Sequence, residues 1–352
     1  MPGDYRTGPP ATPVTALLMA VPGRDAGLMS TARPRPGPER ATFGRLLTAL
    51  LLLAALPAMV YPGRPGPNVT VGDLIYGWQR ELRQRSLVAT FDGLARVGSD
   101  HFVVHFDPRW DSDWAHLVLE CAEGARDAAL RRLGWSPLES PGAKVPILLY
   151  ADYSSLDEQF GSRPGFRALG AYWCGVIQVL SPRLWLSERP PVDARRQLWT
   201  RGPIIHEYTH YLLDKLIPRG NYPRWLSEGL AQYVEYREAG YLWLEASNTI
   251  STPIRDSGLY SIAELGGGFD SLPNTALAYR EAFLLVTYLV DSQGPDTFSH
   301  VLKGLASGLS FEVSLLRATG LSLAQLEDLW LDWLDHNLER YSLLAGEEAT
   351  RA

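Results

Sequence analysis

The sequence predicts an α+β fold in which a small sheet precedes a mostly helical C-terminal half. Three observations carry this. HFVVHF at 101–106 and VPILLY at 145–150 are short runs rich in β-branched and aromatic residues, bounded by Asp, Pro and Gly. A stripe of helical spacing lies between them. In the last third, LVTYLVD, FSHVLKGLASGL and LAQLEDLWLDWLDHNLERY keep an apolar period of helical type. A chain of 352 residues, 46% hydrophobic and 20% charged, has material for one large core or two modest ones.

The N-terminal part reads differently. Residues 1–42 are rich in Pro, Gly, Ala and Arg without a sustained apolar period and are expected to be disordered. LLTALLLLAALPAMV at 46–60 follows Arg45 directly and is succeeded by the turn-forming PGRPGP, so residues 43–61 read as an export signal. The apolar run of 15 residues is shorter than the roughly 20 of a spanning helix and suits a signal-peptide core or a short signal anchor. A start at Met29 would give the arrangement usual for secretion. Cleaved or kept as a membrane anchor, the segment directs the remainder outside the cytoplasm. Residues 62–97 read as a linker or pro-like segment, and 98–345 as the folded domain.

Composition removes some functions. The formal net charge of -6 leaves no excess of positive charge to hold a phosphate backbone, so nucleic acid is excluded as a partner. Cys121 and Cys174 are the only cysteines and are too far apart for C-x-x-C thiolate ligation. They can pair as a disulfide in an exported domain or stand as two buried thiols, Cys121 on a helical stripe and Cys174 in an apolar strand.

Trp114, Leu117, Val118, Cys121, Ala125 and Ala129 recur at helical spacing, with Asp111 and Asp113 as N-terminal caps and first-turn acids. AYWCGVIQVL at 171–180 reads as a third strand. Two helices follow the arginine-rich stretch at 194–201.

The first of these carries HEYTH at 206–210. Residues four apart on a helix are turned by about 400°, which puts His206 and His210 on one face within reach of one ion. Glu207 beside them is placed to accept a proton from an attacking water. Zinc in a hydrolytic site takes three protein ligands, so a third must come from elsewhere. Asp214 is eight residues from His206, a rise of about 12 Å, and cannot reach. Leu213 and Leu216 replace the glycine and third histidine of the longer H-E-x-x-H-x-x-G-x-x-H pattern. Lys215, Pro218 and Gly220 end the helix, and a second starts near Arg224 as RWLSEGLAQYVEYREA. Glu228 falls in its first turns among Trp225, Leu226, Leu230 and Tyr233, where a carboxylate is costly unless paired or metal-bound. Gly229 beside it is expected to let the second helix approach the first closely. Arg201, Asp214 and Lys215 around the motif exclude an intramembrane site.

HEYTH followed 18 positions later by the glutamate of WLSEGLAQYVE resembles the gluzincin zinc metallopeptidases, and most closely their bacterial peptidase-MA-like domains. The resemblance implies zinc held by His206, His210 and Glu228, with Glu207 as general base. It implies a thermolysin-like architecture, a small mixed sheet whose substrate-binding edge strand packs on the zinc-binding helix. GAYWCGVIQVL, ending at Leu180, occupies the place of that strand. YREAFLLVTYL, from Tyr279 to Leu289, is similar to the tyrosine helix of the gluzincin aminopeptidases, with Ala282 where they carry glycine, and Tyr279 is the implied oxyanion donor. The substrate implied is a peptide or protein. No G-x-M-E-N motif precedes the zinc helix, so nothing here points to capture of a free amino terminus. A zinc-binding but non-hydrolytic membrane-anchored interaction module stands as the alternative.

His101 and His105 alternate onto one face of a strand with no acidic or cysteine partner evident in the sequence, and read as strand-face histidines. Trp330, Trp333 and Tyr341 read as a core stripe of the helical half, which is expected to close one side of the active-site cleft.

Overall fold

Five strands and eleven α-helices make up the described part of the molecule. The computed structural model describes residues 71–135, 144–160, 168–186, 191–217, 220, 222–243, 246–250 and 258–349. All of them fall within the compact unit Leu53–Ala352. The expected disordered extension at 1–42, the export segment at 43–61 and residues 62–70 lie outside the described residues, as does most of the loop expected at 160–170.

The strands are β1 (Ala95–Gly98), β2 (Phe102–Phe106), β3 (Val145–Tyr150), β4 (Gly170–Trp173) and β5 (Val176–Leu180). They form one mixed sheet in the order β1-β2-β3-β5-β4. β2, β3 and β5 run parallel, with Val104 opposite Ile147 and Ile147 opposite Ile177, while β1 and β4 are antiparallel edges. The central position of β3 explains its continuous apolar run. Ile147 and Leu149 face the main core, whereas Leu148 and Tyr150 face a smaller cluster with Phe91, Leu156, Val176 and Leu180.

Helix α1 (Val71–Ala89) precedes β1, α2 (Ser112–Arg132) joins β2 to β3, and α3 (Tyr153–Phe160) follows β3. α4 (Pro191–Arg201), α5 (Ile204–Leu216) and α6 (Arg224–Ala239) come after the sheet. α7 (Ile262–Gly267), α8 (Thr275–Gln293), α9 (Thr297–Ala306), α10 (Phe311–Thr319) and α11 (Leu323–Ala349) complete the helical half. α2 buries the small-residue stripe Ala115, Val118, Ala122, Ala125 and Ala129, which lets it lie close to both the sheet and α5. Trp330 and Tyr341 of α11 are buried and Trp333 packs against the same core, as the helical stripe predicts.

Several expectations are corrected. The third strand is a hairpin, β4 and β5, because Cys174 and Gly175 both take left-handed backbone (φ 49° and 86°) and reverse the chain within two residues. Cys174 therefore sits in the turn and not in a strand, and both cysteines are free thiols. The fold extends upstream of position 98 to include α1 and β1. The stretch 194–201 belongs to a helix of its own, α4. The Asp111 side chain makes no cap bond; it turns inward to accept from Ser181 Oγ at 2.5 Å. His101 precedes β2 and does have an acidic partner, with Nδ1 at 2.7 Å from Glu123 Oε2. Gly229 opens space for α8 and not for α5, since a Cβ there would lie 2.3 Å from the Ala282 carbonyl oxygen.

Candidate metal centre

α5 is set by its surroundings on three sides. Ile204, Ile205, Tyr208, Leu212 and Leu213 are buried in the main core, where α5 packs against α2 and the β4–β5 hairpin. Its start is seated on the edge strand at Gly170, where a Cβ would lie 2.7 Å from the Pro203 ring. The opposite face turns toward α6. That helix starts behind the extended Pro223 and ends at Gly240, whose left-handed backbone (φ 72°) returns an N–H to the Tyr236 carbonyl.

The crossing of α5 and α6 brings His206, His210 and Glu228 together. Glu228 Oε2 stands 3.3 Å from His206 Nε2 and 3.4 Å from His210 Nε2, and the ligand atoms of all three lie within 4.8 Å of one another. Tetrahedral zinc bonds of 2.0–2.1 Å place neighbouring ligand atoms about 3.4 Å apart. The two histidine–carboxylate separations match that spacing, so the donor set fits a single zinc-sized cation. Among the described residues this is the one cluster of three or more His, Cys, Asp or Glu donors that could hold a metal.

The far sides of the ligands are also tied. His210 Nδ1 bonds Ser227 Oγ at 2.8 Å, and His206 Nδ1 lies 3.5 Å from Glu235 Oε2. With Nδ1 engaged outward, each ring presents Nε2 to the common point. Glu228 Oε1, the oxygen not facing the histidines, accepts from Arg224 Nη2 at 2.8 Å. Ser227, Glu235 and Arg224 were not read from the sequence. A signal for Glu235 was available, since it follows Glu228 by seven residues and so shares its face of α6.

Charge in the site is strongly coupled. Burial alone would raise the Glu228 carboxyl, but His210 and Arg224, with hydrogen bonds from both histidines, hold it well below the usual carboxylate range. His206 is largely enclosed, which opposes its charge, yet Glu228 and Glu235 lift its imidazole well above the ordinary value. Glu207 is buried beside them and makes no ion pair among the described residues. Burial raises its carboxyl, and the two histidines offset only part of that rise.

Tyr279 lies on α8, packed edge-on against Trp243 and Phe269 with ring centroids 5.8 Å and 5.1 Å away. Burial raises its hydroxyl, and Glu228 adds to the shift, so the ring lies within electrostatic reach of the cluster. Gln232 of α6 donates to the Tyr279 carbonyl at 2.8 Å and fixes α8 at this position. Asp214, excluded as a ligand, instead accepts from Tyr76 Oη and Arg80 Nε of α1, both at 2.7 Å, and from the Tyr172 hydroxyl.

Two histidines and a carboxylate converging on one point form a candidate mononuclear metal site, with a second buried carboxylate on the same helix as the histidines. Residues 191–336, from α4 into α11, match the family model of the Peptidase MA superfamily. The match places a Peptidase MA superfamily domain in that segment, consistent with the gluzincin type, and suggests a metallopeptidase. No curated protein matches the chain.

Proposed function

We propose that this chain is a zinc metallopeptidase that hydrolyses peptide bonds outside the cytoplasm, with Glu207 as general base. The observation that carries the reading is the placement of Glu207, buried on the helix that bears His206 and His210 and within electrostatic reach of both histidines and of Glu228. Zinc, when bound, supplies a Lewis acid that polarises a scissile carbonyl and acidifies water near neutral pH. His206, His210 and Glu228 hold it, oriented by Glu235, Ser227 and Arg224. Glu207 takes a proton from the attacking water and passes it to the departing amine nitrogen. The Tyr279 hydroxyl, kept protonated by its burial, donates to the carbonyl oxygen as that atom gains charge. The free edge of β4 offers backbone groups to an extended substrate in a thermolysin-like arrangement. Export through residues 43–61 gives the extracytoplasmic location, with the segment either cleaved or kept as anchor.

Digestion of a peptide library tests this. Wild type is expected to cleave, Glu207→Gln to keep its zinc while losing about 10²–10⁴ in turnover, and Tyr279→Phe to lose about 10²–10³ in kcat with KM little changed. Full zinc occupancy without cleavage by wild type would instead support the non-hydrolytic interaction module.

A further inference from the structure

Helix α1 has two unlike faces. Tyr76 and Arg80 bond Asp214, Gln84 Nε2 donates to the Gly175 carbonyl at 3.4 Å, and Leu87 and Val88 pack on the smaller core cluster. Those residues share one side of the helix. Ile75, Trp78 and Leu82, spaced i, i+3 and i+7, form a stripe on the other, and are 46%, 56% and 45% exposed. Such a stripe leaves three large apolar side chains in water on a helix already fastened from behind.

Two further observations say what covers it. The apolar run at 46–60 ends ten residues before α1, and residues 61–70 fully extended reach about 35 Å. At 15 residues that run is shorter than a comfortable span of roughly 20, and a second membrane contact would strengthen a weak anchor of this kind. The stripe has the chemistry of an interfacial helix. Trp78 is a ring suited to the headgroup level, and the exposed Arg83 on the flank lies 5.8 Å over the ring of Trp173, itself half exposed at the hairpin tip.

We propose that the Ile75, Trp78 and Leu82 stripe of α1 lies in the bilayer interface, so that the membrane surface orients the folded domain as well as tethering it. The inference takes residues 43–61 as a retained anchor, as allowed above, and is independent of peptide hydrolysis. Because α1 is bonded to Asp214, one helical turn beyond His210 on α5, docking of the stripe also fixes how the metal-centre helix stands over the membrane.

The test uses the full 352-residue chain reconstituted into vesicles of zwitterionic and anionic phospholipid with brominated acyl chains. Flotation reports the anchor, and quenching of tryptophan emission by bromine reports the stripe. Trp78 is the first tryptophan of the chain, so the 46–60 run contributes no signal of its own. Wild type is expected to float and to be quenched. Trp78→Phe should lose most of the quenching, the double change Ile75→Ser with Leu82→Ser should weaken it, and Trp110→Phe, on another exposed surface, should keep it. Flotation without quenching, or quenching that Trp78→Phe leaves intact, would overturn the stripe's role while sparing the anchor. Failure to float would overturn both. A dimer that the stripe variants dissociate, with no quenching in wild type, would show that a second copy covers the stripe and would also overturn the proposal.

Discussion

Arg224 Nη2 lies 2.8 Å from Glu228 Oε1, while Oε2 of the same carboxylate faces His206 and His210. The guanidinium thus leaves one oxygen for the cation and fixes its direction. Loss of outer partners of this kind costs metal affinity about 10–100-fold. Arg224→Met is expected to weaken zinc binding within that range, with Arg224→Lys recovering part of it, as read by competition with a chromogenic chelator.

Gly229 lets α6 and α8 approach closely. A Cβ there would stand 2.3 Å from the Ala282 carbonyl oxygen and 2.6 Å from Val286 Cγ2, and backbone cannot yield as a side-chain tip can. Gly229→Ala should destabilise the fold by about 1–3 kcal/mol through overpacking. Chemical denaturation measures this directly, and displacement of α8 should also lower turnover through Tyr279.

Asp214 holds α1 to α5 through Tyr76 and Arg80, with the Arg80 and Asp214 side chains only 18% and 9% exposed. Asp214→Ala leaves the guanidinium largely buried without a carboxylate, with the Tyr172 hydroxyl as its remaining partner at 3.2 Å, at a cost of roughly 3 kcal/mol. Hydrogen exchange across Val71–Ala89 should accelerate in this variant while α8 and α11 keep their protection.

Glu281 supplies a pH dependence away from the metal centre. Burial, helped by Glu264 and Glu327, raises its carboxyl to about 9, against the opposing effect of the Tyr260 N–H. The folded chain therefore keeps a proton that the unfolded chain, titrating near 4.5, has already released. Stability from this group is complete below pH 4.5 and falls as pH rises through about 9. Glu281→Gln should remove that loss, so its denaturation midpoint should gain on wild type progressively from pH 5 to 9, and parallel curves would assign the slope to other groups.

The central residues were legible because helical period alone fixes the face shared by His206 and His210, and because Pro218, Gly220 and the RWLSEGL start mark a second helix carrying Glu228. Arg224, Ser227 and Glu235 depend on how α5 and α6 cross, which no local pattern encodes. α1 escaped notice for a physical reason. Its apolar positions Ile75, Trp78 and Leu82 point to solvent, while the side held by the fold is polar at Tyr76, Arg80 and Gln84 and apolar only at its end, at Leu87 and Val88, so periodicity gives no continuous core-facing stripe. The hairpin was missed because Cys174-Gly175 lacks the Asn-Gly or Asp-Gly signature of a two-residue turn, although Gly175 could have suggested it.

Metal analysis of the purified full chain bears most directly on the central claim that His206, His210 and Glu228 hold a zinc ion. One zinc per chain is expected in wild type and in Glu207→Gln, and none in Glu228→Ala. Undiminished zinc in Glu228→Ala, or a wild type that takes up none, would contradict the account.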